Sequence, residues 1–251
     1  MKKLLLIVVM AFCAESLMAR EPFGMNLRII PGGPLKMIEE KIRVHRVKSC
    51  REYRIELIDG TKIKDQTALL SFDGQGRLLG EIAYDNKKPL SKTTCRYERG
   101  RLVSYDFEAF GGDEDSFSYV FGYDVKNHMN KQCCGSAELR NYCFTYDVKG
   151  RLIERRGKTT SGEGKAWEDA DRFAYRYNER GNLSTEVFYY RETEKYRRIF
   201  FYEGGRLVRV ELKHRDGSTV YRFKYDSRGL VREMAESSPG GMKTFLYEYG
   251  L

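Results

Sequence analysis

From Phe72 to the C-terminus one short pattern returns about every 25 residues, and a period of that length restricts a chain to repeat architectures. The pattern reads aromatic, any residue, Tyr, Asp, two residues, Gly, Arg, Leu. Its fullest copy is Phe144-Thr145-Tyr146-Asp147-Val148-Lys149-Gly150-Arg151-Leu152. Before it stand Phe72-Asp73-Gly74-Gln75-Gly76-Arg77-Leu78, Tyr97-Glu98-Arg99-Gly100-Arg101-Leu102 and Tyr123-Asp124-Val125-Lys126-Asn127. After it come Tyr177-Asn178-Glu179-Arg180-Gly181-Asn182-Leu183, Tyr202-Glu203-Gly204-Gly205-Arg206-Leu207 and Tyr225-Asp226-Ser227-Arg228-Gly229-Leu230. A half-copy, Phe245-Leu246-Tyr247-Glu248-Tyr249, closes the chain. From Phe72 to Tyr247 the steps between motif aromatics are 25, 26, 23, 31, 25, 23 and 22 residues. The long step carries a polar insertion, Lys158 to Asp171, with Gly157, Gly162 and Gly164 in or beside it.

Each copy reads as a β-hairpin. Aromatics two apart share one face of a strand. Asp, Asn or Glu then opens a turn, and Asp and Asn can hold backbone amides further on. The Gly, or Asn127 in its place, suits the left-handed position that ends a type I turn with a bulge. The copies at Tyr97 and Tyr202 are one residue shorter, which implies a tighter turn and a shift in the alternation that follows. After Leu207 the apolar set is Val208, Val210 and Leu212, against Arg209, Glu211 and Lys213. Tyr, Phe, Val and Thr dominate and few segments keep a 3.6-residue spacing, so the expected class is all-β: tandem antiparallel hairpins in a long curled meander sheet.

The copies resemble the YD repeat of the RHS (rearrangement hotspot) family, over roughly residues 70 to 251. In that family successive hairpins coil into a curved sheet or hollow shell, and long members enclose a C-terminal toxin. The resemblance implies a short, exported, stand-alone repeat protein with no room for a toxin and too few repeats for a full shell. It also brings a hint of sugar binding. A lesser kinship is to the Tyr-Glu-x-Gly hairpin repeats of antitoxin-like proteins, because of the two shortened copies.

The N-terminus gives an address. Met1-Lys2-Lys3 is basic, Leu4 to Ala14 is apolar, and Leu17-Met18-Ala19 offers a cleavage site before Arg20, the order of a secretory signal peptide spanning residues 1–19. Cleavage after Ser16 is the second option. Phe12 fits a lipid-anchoring motif at Cys13 poorly. The expected location is therefore periplasmic or secreted, which removes nucleic acid as a partner. Arg20 to Gly33 reads as a leader and residues 34–251 as one domain. Within it Pro34 to Val47 fits a short helix or a strand; its β-branched content favours a strand paired with Tyr53 to Ile58.

Export also bears on the five cysteines left after Cys13, namely Cys50, Cys95, Cys133, Cys134 and Cys143. An odd number leaves at least one thiol over. One disulfide among Cys95, Cys133, Cys134 and Cys143 is weighed against buried free thiols that pack as small hydrophobes. The net charge of +9 is spread among residues of both signs with no run of five like charges, the pattern of a solvated surface.

Catalysis has little support. His45, His128 and His214 belong to no nucleophile–base–orienter set and read as surface or turn residues. Asp73, Asp124, Asp147 and Asp226 recur with the turns, so their periodicity assigns them to turn chemistry. No phosphate-cradling loop, metal-ligand spacing or cofactor motif is present, and the expectation is a non-enzyme without cofactor or metal.

Binding is better supported. Tyr123, Tyr146, Tyr177, Tyr202 and Tyr225 are expected in the core. Trp167, the one tryptophan, lies in the polar insertion, where it either contacts sugar or anchors the loop onto the sheet. Trp167, Tyr189, Tyr190, Arg197 and Arg198 are the candidate ligand-binding residues, with Arg191 and Lys195 completing a basic cluster. The expected partner is a glycan or cell-envelope polysaccharide. The alternative is a protein scaffold that docks partners on open sheet edges. An outer-membrane barrel fits the strand number, but charges on most strands oppose its lipid-facing band.

Overall fold

The computed structural model describes residues 34–59, 61–110, 116–124, 129–135, 139–160 and 168–251. The signal peptide, the leader, His128 and Trp167 lie outside the described residues. Within them the chain forms a helix, α1 (Pro34–Val44), and then sixteen strands. The first eight are β1 (Ser49–Ile58), β2 (Thr61–Phe72), β3 (Leu78–Asp85), β4 (Lys88–Glu98), β5 (Arg101–Ala109), β6 (Phe117–Tyr123), β7 (Met129–Gly135) and β8 (Leu139–Tyr146). The rest are β9 (Leu152–Thr160), β10 (Glu168–Tyr177), β11 (Leu183–Tyr190), β12 (Thr193–Glu203), β13 (Arg206–His214), β14 (Gly217–Tyr225), β15 (Val231–Ser238) and β16 (Gly241–Gly250).

The motif builds the turns between even and odd strands. At Asp73, Asp147, Asn178 and Asp226 the backbone carbonyl accepts the amide of the motif Gly at 2.9–3.0 Å. Those glycines, Gly76, Gly150, Gly181 and Gly229, sit at φ between 74 and 81°, the left-handed region that a side chain disfavours. Asp73 Oδ1 accepts the amides of Gln75 and Arg77, and Oδ2 accepts Arg77 Nε at 2.7 Å. Asp147 repeats the arrangement with Lys149 and Arg151. In the two shortened copies Arg99-Gly100 and Gly204-Gly205 both take positive φ, which is the type I′ geometry of a two-residue hairpin loop.

Just before each turn the ladder slips by one residue at the motif aromatic: at Phe72, Tyr97, Tyr123, Tyr146, Tyr177, Tyr202 and Tyr225. The shift that the sequence shows after Leu207 is thus a property of every copy, not of the short ones alone. It sets the motif Tyr opposite the Leu of its own copy, as with Tyr146 and Leu152.

Consecutive copies are tied by that Tyr. Tyr123, Tyr146, Tyr177, Tyr225 and Tyr249 donate their hydroxyls to the backbone carbonyls of Leu102, Met129, Leu152, Leu207 and Val231 in the copy before, at 2.6–2.9 Å. The motif Arg lies over the ring of the next Tyr: Arg77 over Tyr97 at 4.7 Å and Arg151 over Tyr177 at 4.8 Å. Asp therefore positions Arg, and Arg covers the next Tyr.

The expected curled meander of antiparallel hairpins is present, and it closes. β1 pairs with β16 from Ser49–Gly250 to Ile55–Thr244, so the sixteen described strands form a barrel without a free edge. Alternation gives the wall two unlike faces. One carries Phe173, Tyr175, Phe200, Val210, Tyr221, Met234 and Tyr247, a buried lining that continues round the ring through Leu78, Cys95, Tyr105 and Phe121. The other carries ion pairs, among them Arg172–Glu154 at 3.6 Å, Lys224–Glu233 at 2.7 Å, and Lys64–Glu248. The buried lining is the inward face and is mostly apolar and aromatic, though it also holds Arg155, Glu186 and Arg198; the ion pairs named above lie on the outward face. The five core tyrosines expected from the repeat are half-buried against this lining.

Pro34 to Val44 is a helix, not the expected strand. Its partner would have been β1, but β1 is already paired on both sides, with β2 and β16. The helix instead docks on the motif-turn rim, burying Ile42 and Val47 against Leu230. A β-carbon at Gly76 would strike the backbone of Glu39 and Arg43, so that glycine serves the turn and the helix at once. His45 reaches the carbonyl of Arg228 at 3.2 Å. Copy seven is rearranged to suit. Leu230 takes the place of the motif Arg and goes under the helix, while Arg228 binds Asp226 instead.

Candidate functional site

At the opposite rim, consecutive residues are exposed whichever face they belong to: 61–64 on β2, 88–90 on β4, 193–195 on β12 and 241–243 on β16. The inner wall meets solvent at that end. Between this mouth and the aromatic lining, strands β9 to β12 carry charged groups at inward positions.

Cross-strand register orders them in three rows. The middle row runs Phe144, Arg155, Phe173, Phe188, Tyr196. Phe173 and Phe188 lie 4.7 Å apart and Phe188 and Tyr196 5.0 Å, a continuous aromatic stripe. The Arg155 guanidinium lies 4.0 Å over Phe173 and 4.7 Å over Tyr142. Toward the motif rim, Tyr175, Glu186 and Arg198 face one another across β10 to β12. Glu186 is 0% exposed and takes Arg198 at 2.9 Å. Toward the mouth, Asp171 accepts Tyr142 Oη at 3.1 Å and stands across from Tyr190.

Buried polar atoms ordinarily have partners. Here, Arg155 Nε, Asp171 Oδ1, Glu186 Oε2 and Tyr196 Oη are buried and have none. They belong to four consecutive strands. The Tyr196 phenol is raised above its ordinary value by burial first, and it also feels Arg198, Glu186, Arg155 and Asp171, so the groups converge on it. Arg155 is 3% exposed; burial opposes its charge, and the field of Tyr175, Tyr142 and Asp171 holds that charge in place.

The candidates drawn from sequence are divided by the wall. Arg198 is inward, in the cluster. Tyr189 is on the outer face beneath Arg172, whose guanidinium is 3.9 Å from its ring, and Arg197 is outward too, paired with Glu194 at 2.9 Å. Tyr190 is 43% exposed at the mouth, with Arg191 and Lys195 over its ring. Trp167 lies outside the described residues. Tyr142, Arg155, Asp171, Glu186 and Tyr196 were missed, although the sequence carries a signal for several. Asp171, Glu186 and Arg198 share the alternation of Phe173, Phe188 and Phe200, a charge where the strand otherwise turns apolar residues inward. Gly157, assigned to the insertion, belongs to β9.

Cys50, Cys95 and Cys143 form no disulfide; the first two are buried in the lining and Cys143 is exposed on the outer face. The side chains of Cys133 and Cys134 lie outside the description. His214 ends β13 across from Gly217, exposed and apart from the cluster.

No protein-family model matches the sequence, and no curated protein does. Among solved structures, a porin-like protein from Bacteroides uniformis ATCC 8492 is similar over 81% of this chain and 98% of its own, at 12% identity and a TM-score of 0.53. The likeness is one of fold. The TcdB2-TccC3-Cdc42 complex matches over 74% of this chain and 10% of its own, at 16% identity and a TM-score of 0.34.

Proposed function

We propose that this chain is an exported, non-catalytic protein that binds cell-envelope or extracellular carbohydrate against the inner wall of its barrel. The observation that carries the reading is the set of four unpartnered polar atoms around the stripe Phe173–Phe188–Tyr196, near an end where the inner wall meets solvent. Sugar hydroxyls both donate and accept, and sugar rings lie on aromatic faces; pockets of this kind combine apolar walls with a few convergent polar groups. The outward ion pairs suit a barrel surrounded by water, which accords with a periplasmic or secreted protein. Export rests on residues 1–19 as read from sequence. Docking by strand addition has no described edge to use, so the scaffold alternative loses its mechanism.

The test is a glycan-array screen of the exported chain at low and physiological salt, alongside Tyr196→Phe and Trp167→Ala. Binding that survives salt and weakens in Tyr196→Phe supports the inner-wall site. Weakening only in Trp167→Ala moves the site to the segment that joins β9 to β10. Binding that salt abolishes reduces to the net charge. No binding at either salt ends the carbohydrate reading.

A further inference from the structure

We infer that helix α1 is a latch: its docking holds the β1–β16 seam shut in place of an eighth motif turn, and the ring opens at that seam when the helix lets go. Even-numbered strands pass to the next odd-numbered strand through a motif copy at seven places, from β2–β3 to β14–β15. β16 and β1 are paired like the rest but lie at opposite ends of the described sheet, so no turn joins them. The tyrosine tie is missing there as well. Tyr146 at the end of β8 bonds the carbonyl of Met129 at the start of β7. Phe72, at the end of β2, stands in the same relation to the start of β1 and has no hydroxyl to give.

The helix lies over that gap and touches the copies on both sides of it. Ile42 and Val47 form one buried cluster with Leu230, and Phe72 of β2 and Tyr249 of β16 pack against it. On the side of copy seven, His45 Nε2 is 3.2 Å from the Arg228 carbonyl and Lys41 lies beside Gly229. On the side of copy one, Gly76 sits beneath the backbone of Glu39 and Arg43. Where the chain leaves the helix, the Lys48 amide donates to the Gly250 carbonyl at 2.8 Å, and the Lys48 carbonyl accepts the Phe72 amide at 2.9 Å. One residue thus joins both strands that flank β1.

With the helix released, the seam keeps its ladder from Ser49–Gly250 to Ile55–Thr244 and the outward pair Lys64–Glu248. Every other pair of neighbouring strands is consecutive in the chain and is held together at one end by the backbone. β1 and β16 can part without straining a hairpin, and a sheet opens first where the fewest links hold it. Two buried thiols report on this. Cys50 on β1 faces the lining across from Tyr249 of β16, whereas Cys95 is buried in the same lining on β4, three strands away. Opening of the seam uncovers Cys50 and leaves Cys95 covered; global unfolding uncovers both.

The experiment is alkylation by iodoacetamide at about pH 8, read by peptide mass spectrometry, in the parent protein and in Ile42→Ala, Gly76→Ala and Gly181→Ala. Ile42→Ala loosens the helix without altering any turn. Gly76→Ala drives a β-carbon into the helix backbone. Gly181→Ala is the control: it has the same left-handed turn position, φ 81° against 78°, but its β-carbon meets open space. In Ile42→Ala and Gly76→Ala the labelling rate of Cys50 relative to Cys95 should rise about tenfold, the equilibrium effect of a lost or overpacked core contact. Amide exchange should quicken first along β1 and β16. Gly181→Ala should leave the Cys50 to Cys95 ratio at its parent value. A ratio unchanged in both helix variants, or raised equally by Gly181→Ala, overturns the latch. If Gly76→Ala does not fold, Ile42→Ala decides alone. No saccharide enters the experiment, so either result leaves the carbohydrate reading where it stands.

Discussion

The carboxylate of Asp171 occupies the space that a β-carbon on residue 157 would fill. Gly157, on the neighbouring strand, is a glycine for this reason; its backbone needs no special angle. The same missing side chain lets Tyr142 close over the strand and donate its hydroxyl to Asp171. Gly157→Ala is expected to push both groups away. Overpacking of this kind costs about 1–3 kcal/mol, measurable by chemical denaturation, and saccharide affinity should fall with it. An alanine variant with unchanged stability would mean that Asp171 has room to move.

Glu186 and Arg198 form a buried ion pair, and removing one partner leaves the other's charge stranded. Glu186→Ala should destabilise the barrel by about 3–5 kcal/mol. Glu186→Leu combined with Arg198→Met should recover most of that loss while abolishing binding. This separates the pair's contribution to stability from its place in the site. Equal destabilisation by the single and double variants would contradict the argument.

The motif tyrosines should be sensitive to loss of one oxygen. Tyr177→Phe or Tyr225→Phe removes the bond to Leu152 or Leu207 and leaves a buried carbonyl without its donor. Each should lower stability by about 1 kcal/mol in denaturant titrations. Tyr196→Phe is the internal contrast, since its hydroxyl bonds to nothing in the protein.

The turn carboxylates make stability depend on acid. Burial opposes the ionised form of Asp73 and Asp226. The hydrogen bonds from Arg77 to Asp73, and from the Leu230 amide and Arg228 to Asp226, outweigh it and hold both below the ordinary carboxylate value. A group with a depressed folded pKa contributes its stability above the unfolded value, near 3.8, and loses it as the pH falls through the folded one. The denaturation midpoint should therefore drop on acidification below about pH 4. Asp226→Asn should flatten that drop. It should also be mild at neutral pH, because Asn178 already holds the amide of Asn182 at the equivalent place in another copy.

Thiol labelling should distinguish the two walls. Burial, followed by the field of Glu52, pushes the Cys50 thiol up to about 12, whereas Cys143 is exposed on the outer face. Iodoacetamide at pH 8 should alkylate Cys143 and spare Cys50 until the protein is unfolded, as read by mass spectrometry of peptides. Prompt labelling of Cys50 would mean that the lining opens in the native state.

Most of the hairpin order was legible in the sequence, because turn chemistry is local. Asp at the turn and Gly in the left-handed position report on four neighbouring residues and need no knowledge of the rest. Closure was not legible. The pairing of Ser49 with Gly250 depends on curvature accumulated over sixteen strands, and no single copy encodes it. The helix was misread for a related reason: β-branched residues at 42 and 44 favour a strand only where an edge is free to pair. The site was half legible. Arg198 was chosen for its charge, but its meaning lay in its parity with Tyr196 and Phe200, which separates it from Arg197 next door.

Closure of the ring imposes arithmetic on the gene. Each copy adds a down-strand and an up-strand, so gain or loss of a whole copy alters the circumference while β1 still meets an antiparallel last strand. Gain or loss of one strand would reverse the direction of the last and present β1 with a parallel neighbour out of register. A chain built on this plan can lengthen or shorten only by twos, and the hairpin, not the strand, is its unit of inheritance.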